Sequence, residues 1–170
     1  MGTGTPVSVY STTTDSSGNW SFTIGTISTS TPLLVWVDAT TTVRASLFTK
    51  STTTSGNIGG LSLYQNRVIV SYGTTTSTST TLADLGFYDS DNDSDIRFNA
   101  SSTLGTFNVF DAQELHVWTG KVLELTGSST FTGDVHIATS SRLIGGATTT
   151  VLGHLDNAGA YVSNGAKVWQ

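Results

Sequence analysis

The densest chemistry in the chain is Phe87-Tyr88-Asp89-Ser90-Asp91-Asn92-Asp93-Ser94-Asp95-Ile96-Arg97-Phe98, where four of only twelve acidic residues stand on alternate positions. Asp89, Asp91, Asp93 and Asp95 are the candidate metal ligands. Closely spaced carboxylates with a backbone carbonyl can wrap a hard cation, and calcium is the cofactor this pattern fits. The run departs from an EF-hand loop: no glycine stands at its sixth position, and Ala100 stands at its twelfth. On a strand the four would share one face and repel one another, so either a cation neutralises them or the segment bulges out as a loop. The alternative is a solvated polar corner in which Asp and Asn simply make turns.

The three histidines, His116, His136 and His154, are spaced 20 and 18 residues apart. Stacked in a column they would offer nitrogens to a transition metal. Ligand distances near 2 Å sit poorly with rungs about 4.8 Å apart, and the sequence places no carboxylate beside them at ligand spacing. Hydrogen-bonded or solvent-facing histidines are therefore the expectation. Catalysis has little support. No Gly-x-Ser-x-Gly context occurs, and the two glutamates, Glu114 and Glu124, are ten apart and in a solenoid could face different sides, with paired carboxylates for glycoside cleavage the lesser alternative. Among the four tryptophans, Trp20 and Trp36 fit a core, while Trp118 and Trp169 are freer to stack on sugar rings. Lys50, Lys121 and Lys167 are the candidates for an isopeptide crosslink.

Composition narrows the classes. Charged residues make up 11% of the 170, against about 25% in ordinary globular proteins. Ser and Thr replace them, which suits the solvent face of strands. A net charge of −5 lacks the basic footprint that nucleic-acid binding needs. With no cysteine there is no disulfide framework or thiolate metal site. No apolar run reaches the length of a membrane span. Met1-Gly2-Thr3-Gly4-Thr5 does not read as a signal peptide, so either the chain is a processed or excised piece of a larger exported chain or an extracellular location does not hold.

These residues must be positioned by strands, because period-two alternation recurs and helical periodicity does not. Val7–Tyr10, Trp20–Ile24, Leu33–Val37 and Val43–Phe48 read as strands, with a turn at Thr14–Asn19. Residues 13 to 23, Thr-Thr-Asp-Ser-Ser-Gly-Asn-Trp-Ser-Phe-Thr, resemble the turn and core strand of bacterial Ig-like and carboxypeptidase-regulatory-like modules. The resemblance implies a small β-sandwich that is short of a strand, with an open edge.

From Gly59 onward, short β stretches recur at near-regular steps. Leu61–Tyr64, Asp84–Phe87 and Phe107–Phe110 form one series. Val68–Val70, Ile96–Phe98, Leu115–Val117, Val135–Ile137 and Gly153–Leu155 form a second. A step of about 20 residues fits one coil of a parallel β-solenoid, with corners at Thr119-Gly120, Thr126-Gly127 and Gly145-Gly146. An antiparallel sandwich with evenly spaced strands is the alternative. In a solenoid, Asp84 and Asp111 could add ligands to the aspartate run. Glu114–Lys121, with the coils around it, also resembles the repeat modules of very large bacterial surface proteins, which implies an extracellular structural or adhesive role.

The expected fold class is all-β: an Ig-like β-sandwich portion over residues 1–58 and a β-solenoid-like portion over 59–170. The expected function is a structural or adhesive subunit of an extracellular bacterial assembly, a surface stalk or filament, and not an enzyme. Its partners would be copies of itself or neighbouring modules. Residues 3–12 would supply an exchanged strand and Ala166–Trp169 a C-terminal contact. The rival reading is a carbohydrate-binding module or phage-fibre segment with a glycan partner.

Overall fold

The computed structural model describes residues 8–38, 42–51, 58–70 and 79–169, without the side chains of 168 and 169. Short runs of alternating apolar and polar residues fold into strands of three to six residues. In order these are β1 Pro32–Trp36, β2 Ala45–Lys50, β3 Arg67–Val70, β4 Ser79–Thr81, helix α1 Leu82–Leu85, β5 Phe98–Ser101, β6 Thr106–Val109, β7 Glu114–Val117, β8 Val122–Glu124 and β9 Ser128–Phe131. They continue as β10 Val135–Ile137, β11 Arg142–Gly145, β12 Thr148–Val151, β13 Leu155–Asn157, β14 Ala160–Ser163 and β15 Ala166–Trp169.

Three sheets result, in the orders β1-β2-β3-β7-β10-β13, β4-β8-β11-β14 and β5-β6-β9-β12-β15. From β7 on, each turn of chain gives one strand to each sheet in rotation, and every rung pairs in parallel with the next. This is a three-sided β-solenoid. Its rungs hold strict register: Leu115, Val135 and Leu155 align, as do Val117, Ile137 and Asn157. Alternation sends Leu115, Val117, Val135 and Ile137 inward, where they meet Leu123, Leu143, Phe131 and Val151 in one buried cluster, with Leu155 partly covered against it and Asn157 exposed. Phe98, Phe107 and Phe131 stack edge-to-face inside the third side, with centroids 5.9 and 5.8 Å apart.

One corner needs glycine. A Cβ on Gly127 would overlap the backbone of Gly105, one on Gly146 the backbone of Thr126 and Gly127, and one on Gly165 the backbone of Gly146 and Ala147. Successive coils touch backbone to backbone there. A side chain would force them apart.

The N-terminal end of the solenoid departs from the parallel rung pattern on all three sides. In the first sheet β1 pairs antiparallel with β2, and in the third β5 pairs antiparallel with β6. Beside the second sheet, β4 runs straight into α1, whose Leu82 and Leu85 are buried in the core. A capping box starts this helix: Asp84 N–H donates to Thr81 Oγ1, and Thr81 N–H donates to Asp84 Oδ2 at 2.8 Å.

Several expectations shift. β1 and β2 are not a separate sandwich among the described residues. They extend the first solenoid sheet across the boundary expected at 58/59, with β2 parallel to β3. Residues 20–24 and 61–64 carry no strand, although the turn at Asp15–Asn19 forms. Asp84 and Leu85 lie in α1, and Phe98 opens the antiparallel β5 instead of joining the column of Val68–Val70. Val7 and residues 3–7 of the expected exchanged strand lie outside the described residues. Residues 8–12 are exposed and have no strand structure.

Candidate functional site

The aspartate run forms the corner between α1 and β5, and it divides by role. Asp89 is fully buried. Its carboxylate accepts from Ala100 N–H at 2.8 Å and Asp91 N–H at 2.9 Å, while its carbonyl accepts from the N–H of Asn92 and Asp93. Asp91 is exposed. Asp93 accepts from Asp95 N–H at 2.9 Å, and Asp95 pairs with Arg44 just ahead of β2. Asp93 and Asp95 bring their carboxylates close to Asp38, whereas Asp89 points into the core. Burial, then the charges of Asp93 and Asp38, push the Tyr88 phenol above its usual range. Asp84 pairs with Lys50 at 2.9 Å, and Asp111 pairs with Arg97. Neither reaches the four aspartates.

Trp36 of β1 packs against Tyr88 with ring centroids 5.5 Å apart. Together with Arg44–Asp95 and Lys50–Asp84, this contact fastens the corner to the β1–β2 pair. The stretch thus closes the N-terminal end of the core. Turn-forming Asp and Asn side chains satisfy its backbone, and the ion pairs hold it down.

A second constellation lies on the outer face of the first sheet. Register aligns Leu47, Ile69, His116, His136 and Asp156 in one outward column. Two residues earlier on each rung, Arg67 and Glu114 align in another. Toward β1 this face is apolar and covered: Leu61, Leu63 and Trp118 pack on Leu47 and Ile69. Toward β13 it becomes ionisable. The rings of His116 and His136 stack with centroids 4.3 Å apart and planes 18° apart. His116 Nε2 lies 2.9 Å from Glu114 Oε2, His136 Nε2 lies 3.9 Å from the same oxygen, and Arg67 Nε approaches it at 3.1 Å. His136 Nδ1 lies 3.3 Å from Asp156 Oδ2. Burial lowers the pKa of His116 despite its bond to Glu114, and that bond in turn holds Glu114 below the usual carboxylate range.

This face corrects the sequence expectation twice. The histidines do not form one column, because His154 precedes β13 by one residue and sits beside Asp134, its N–H donating to Asp134 Oδ1 at 2.8 Å. Carboxylates do stand beside the other two. The signal was legible: Glu114 and His116 are two apart on a strand and must share a face, and positions 116, 136 and 156 repeat at 20.

The remaining candidates are scattered. Glu114 lies in the first sheet and Glu124 in the second, on different sides. Trp20 is only partly buried and packs edge-to-face with Phe22 instead of entering the core, and Trp118 covers the outer apolar column. The Trp169 side chain lies outside the described residues. Lys121 is buried, which lowers its pKa, while exposed Lys167 lies over the Tyr161 ring at 5.6 Å. The fold defines an all-β solenoid. Comparison with protein-family models, curated proteins and solved structures returned no match for this chain.

Proposed function

We propose that the chain is a structural or adhesive unit of an extracellular bacterial assembly, such as a surface stalk or filament, with the aspartate corner as the cap of a β-solenoid rod. The asymmetry of the two ends carries this reading. One end finishes in the antiparallel strands β1 and β5 and the helix α1, whereas the other finishes in β13, β14 and β15, each parallel to its neighbour like the rungs before it. Those three edges suit a further coil, from the same polypeptide or from a neighbouring molecule. The low charge and Thr/Ser coat fit a rod whose contacts are coil on coil.

Sedimentation velocity over a concentration series, with electron microscopy of the same samples, tests self-association. Association that rises with concentration and gives end-to-end particles is expected. A species that stays monomeric throughout overturns self-association, and glycan binding by that monomer would favour a carbohydrate-binding module. That second reading is supported by the Trp20–Phe22 ring pair, which lies beside a shallow groove lined by Thr14, Asn19 and Leu63.

A further inference from the structure

We infer that Glu114, His116 and His136 form a zinc site that clamps β7 to β10 on the outer face of the solenoid. The ligand atoms of these three side chains all lie within 4.8 Å of one another. Zinc bonds of 2.0–2.2 Å place tetrahedral ligand atoms about 3.3 Å apart. The two nitrogen–oxygen separations, 2.9 and 3.9 Å, bracket that value. Three protein ligands leave the fourth position to water on the solvent side.

Tautomers favour the same arrangement. Asp156 accepts the Nδ1 proton of His136 and so leaves the Nε2 lone pair facing Glu114, as carboxylates behind metal-bound histidines do. The rings are nearly parallel, so closing on an ion requires a tilt about χ2. His136, with 31% of its side chain exposed, has room for it.

Arg67 is the opposing group, since its guanidinium occupies the same Glu114 oxygen. Its side chain is 39% exposed and can turn away to solvent. The other charges facing the site are Asp134, His154 and Asp156. Imidazole nitrogens select a transition ion over calcium, which takes oxygen ligands.

The test is zinc titration by calorimetry of tag-free, chelator-stripped protein, repeated with cobalt to read tetrahedral coordination from its visible absorption. One equivalent per chain is expected, with a rise in melting temperature because zinc binds the folded state. His136→Ala and Glu114→Gln should each weaken binding at least about tenfold, and Asp156→Asn by about 10–100-fold. Arg67→Gln should tighten it, and His154→Ala should leave it unchanged. Wild-type protein that takes up no zinc, undiminished binding in His136→Ala, or loss in His154→Ala would each overturn the site. Melting temperatures of the zinc-free variants identify any that fail to fold, and for those Asp156→Asn, on an exposed side chain, decides.

Discussion

Single residues here are worth most where they satisfy backbone. Asp89 takes two backbone N–H groups on a buried carboxylate, and hydrogen bonds to charged groups contribute about 1.5–3 kcal/mol each. Asp89→Ala should therefore cost on the order of 3 kcal/mol in urea denaturation. The loss should be the same with calcium or with chelator present, because the partners lost are protein N–H groups. A loss seen only with calcium present would contradict this account.

The His116–Glu114 pair sets a pH dependence. Burial depresses the folded pKa of His116 below its ordinary 6.5, so the unfolded chain binds more protons as pH falls through that value. Its contribution is complete above about pH 6.5 and is lost as pH falls toward the folded pKa. Glu114 is likewise depressed from 4.5, so its contribution is present above that value and is lost as pH falls through its folded pKa. In chelator, melting temperature should fall steadily from pH 7 into the acid range. His116→Gln should flatten the upper part of the profile and Glu114→Gln the lower part.

At the scale of elements, corners matter as much as strands. Gly146→Ala places a Cβ against the backbone of Thr126 and Gly127, none of which can rotate away. A cost near the upper end of overpacking, about 3 kcal/mol, is expected. Gly120 makes a useful contrast. Its φ is +71° but nothing lies within 4 Å of its Cβ position, so Gly120→Ala should cost only the left-handed strain, about 1–2 kcal/mol. Equal melting temperatures for the two variants would show that coil contact at this corner is not limiting. On the strands themselves, Leu115 is fully buried in the centre of the stack, and Leu115→Ala should cost about 2–5 kcal/mol.

Across the whole molecule, stability should be graded along the rod. Core residues of β7 to β12 are buried between neighbours on both sides, whereas Leu155 and Tyr161 of the last described coil are only partly covered. Nearest-neighbour stacking then predicts native-state hydrogen exchange that is slowest in β7–β12 and fastest in β13–β15. If coils add at that end, protection of β13–β15 should rise as protein is concentrated while the central strands stay unchanged. Uniform protection along the chain would contradict the gradient.

How much of this was legible in the sequence depends on the range of the signal. Period-two alternation, Thr and Ser on outer faces and a near-20-residue step from Leu115 to Leu155 determined an all-β chain with stacked coils, because those patterns record which side of a strand is buried. The turn at Asp15–Asn19 was equally local, held by Asp15 and its neighbours. The same alternation could not say which strands pair antiparallel. Leu33–Val37 reads alike in a sandwich or on a solenoid edge, and only its pairing with β2 places it at the cap. Nor could it tell Ile96–Phe98 from a regular rung, since that depends on an insertion folding back against β6. The aspartates looked like a cation loop because their spacing is visible, whereas Arg44 and Lys50, which pair with Asp95 and Asp84, lie 51 and 34 residues away. The 20-residue recurrence of His116, His136 and Asp156 was legible, but that the three coils hold that register was decided only by their pairing. His154, two residues short of that repeat, stands beside Asp134 in a neighbouring column instead, because such register is a property of stacked backbones.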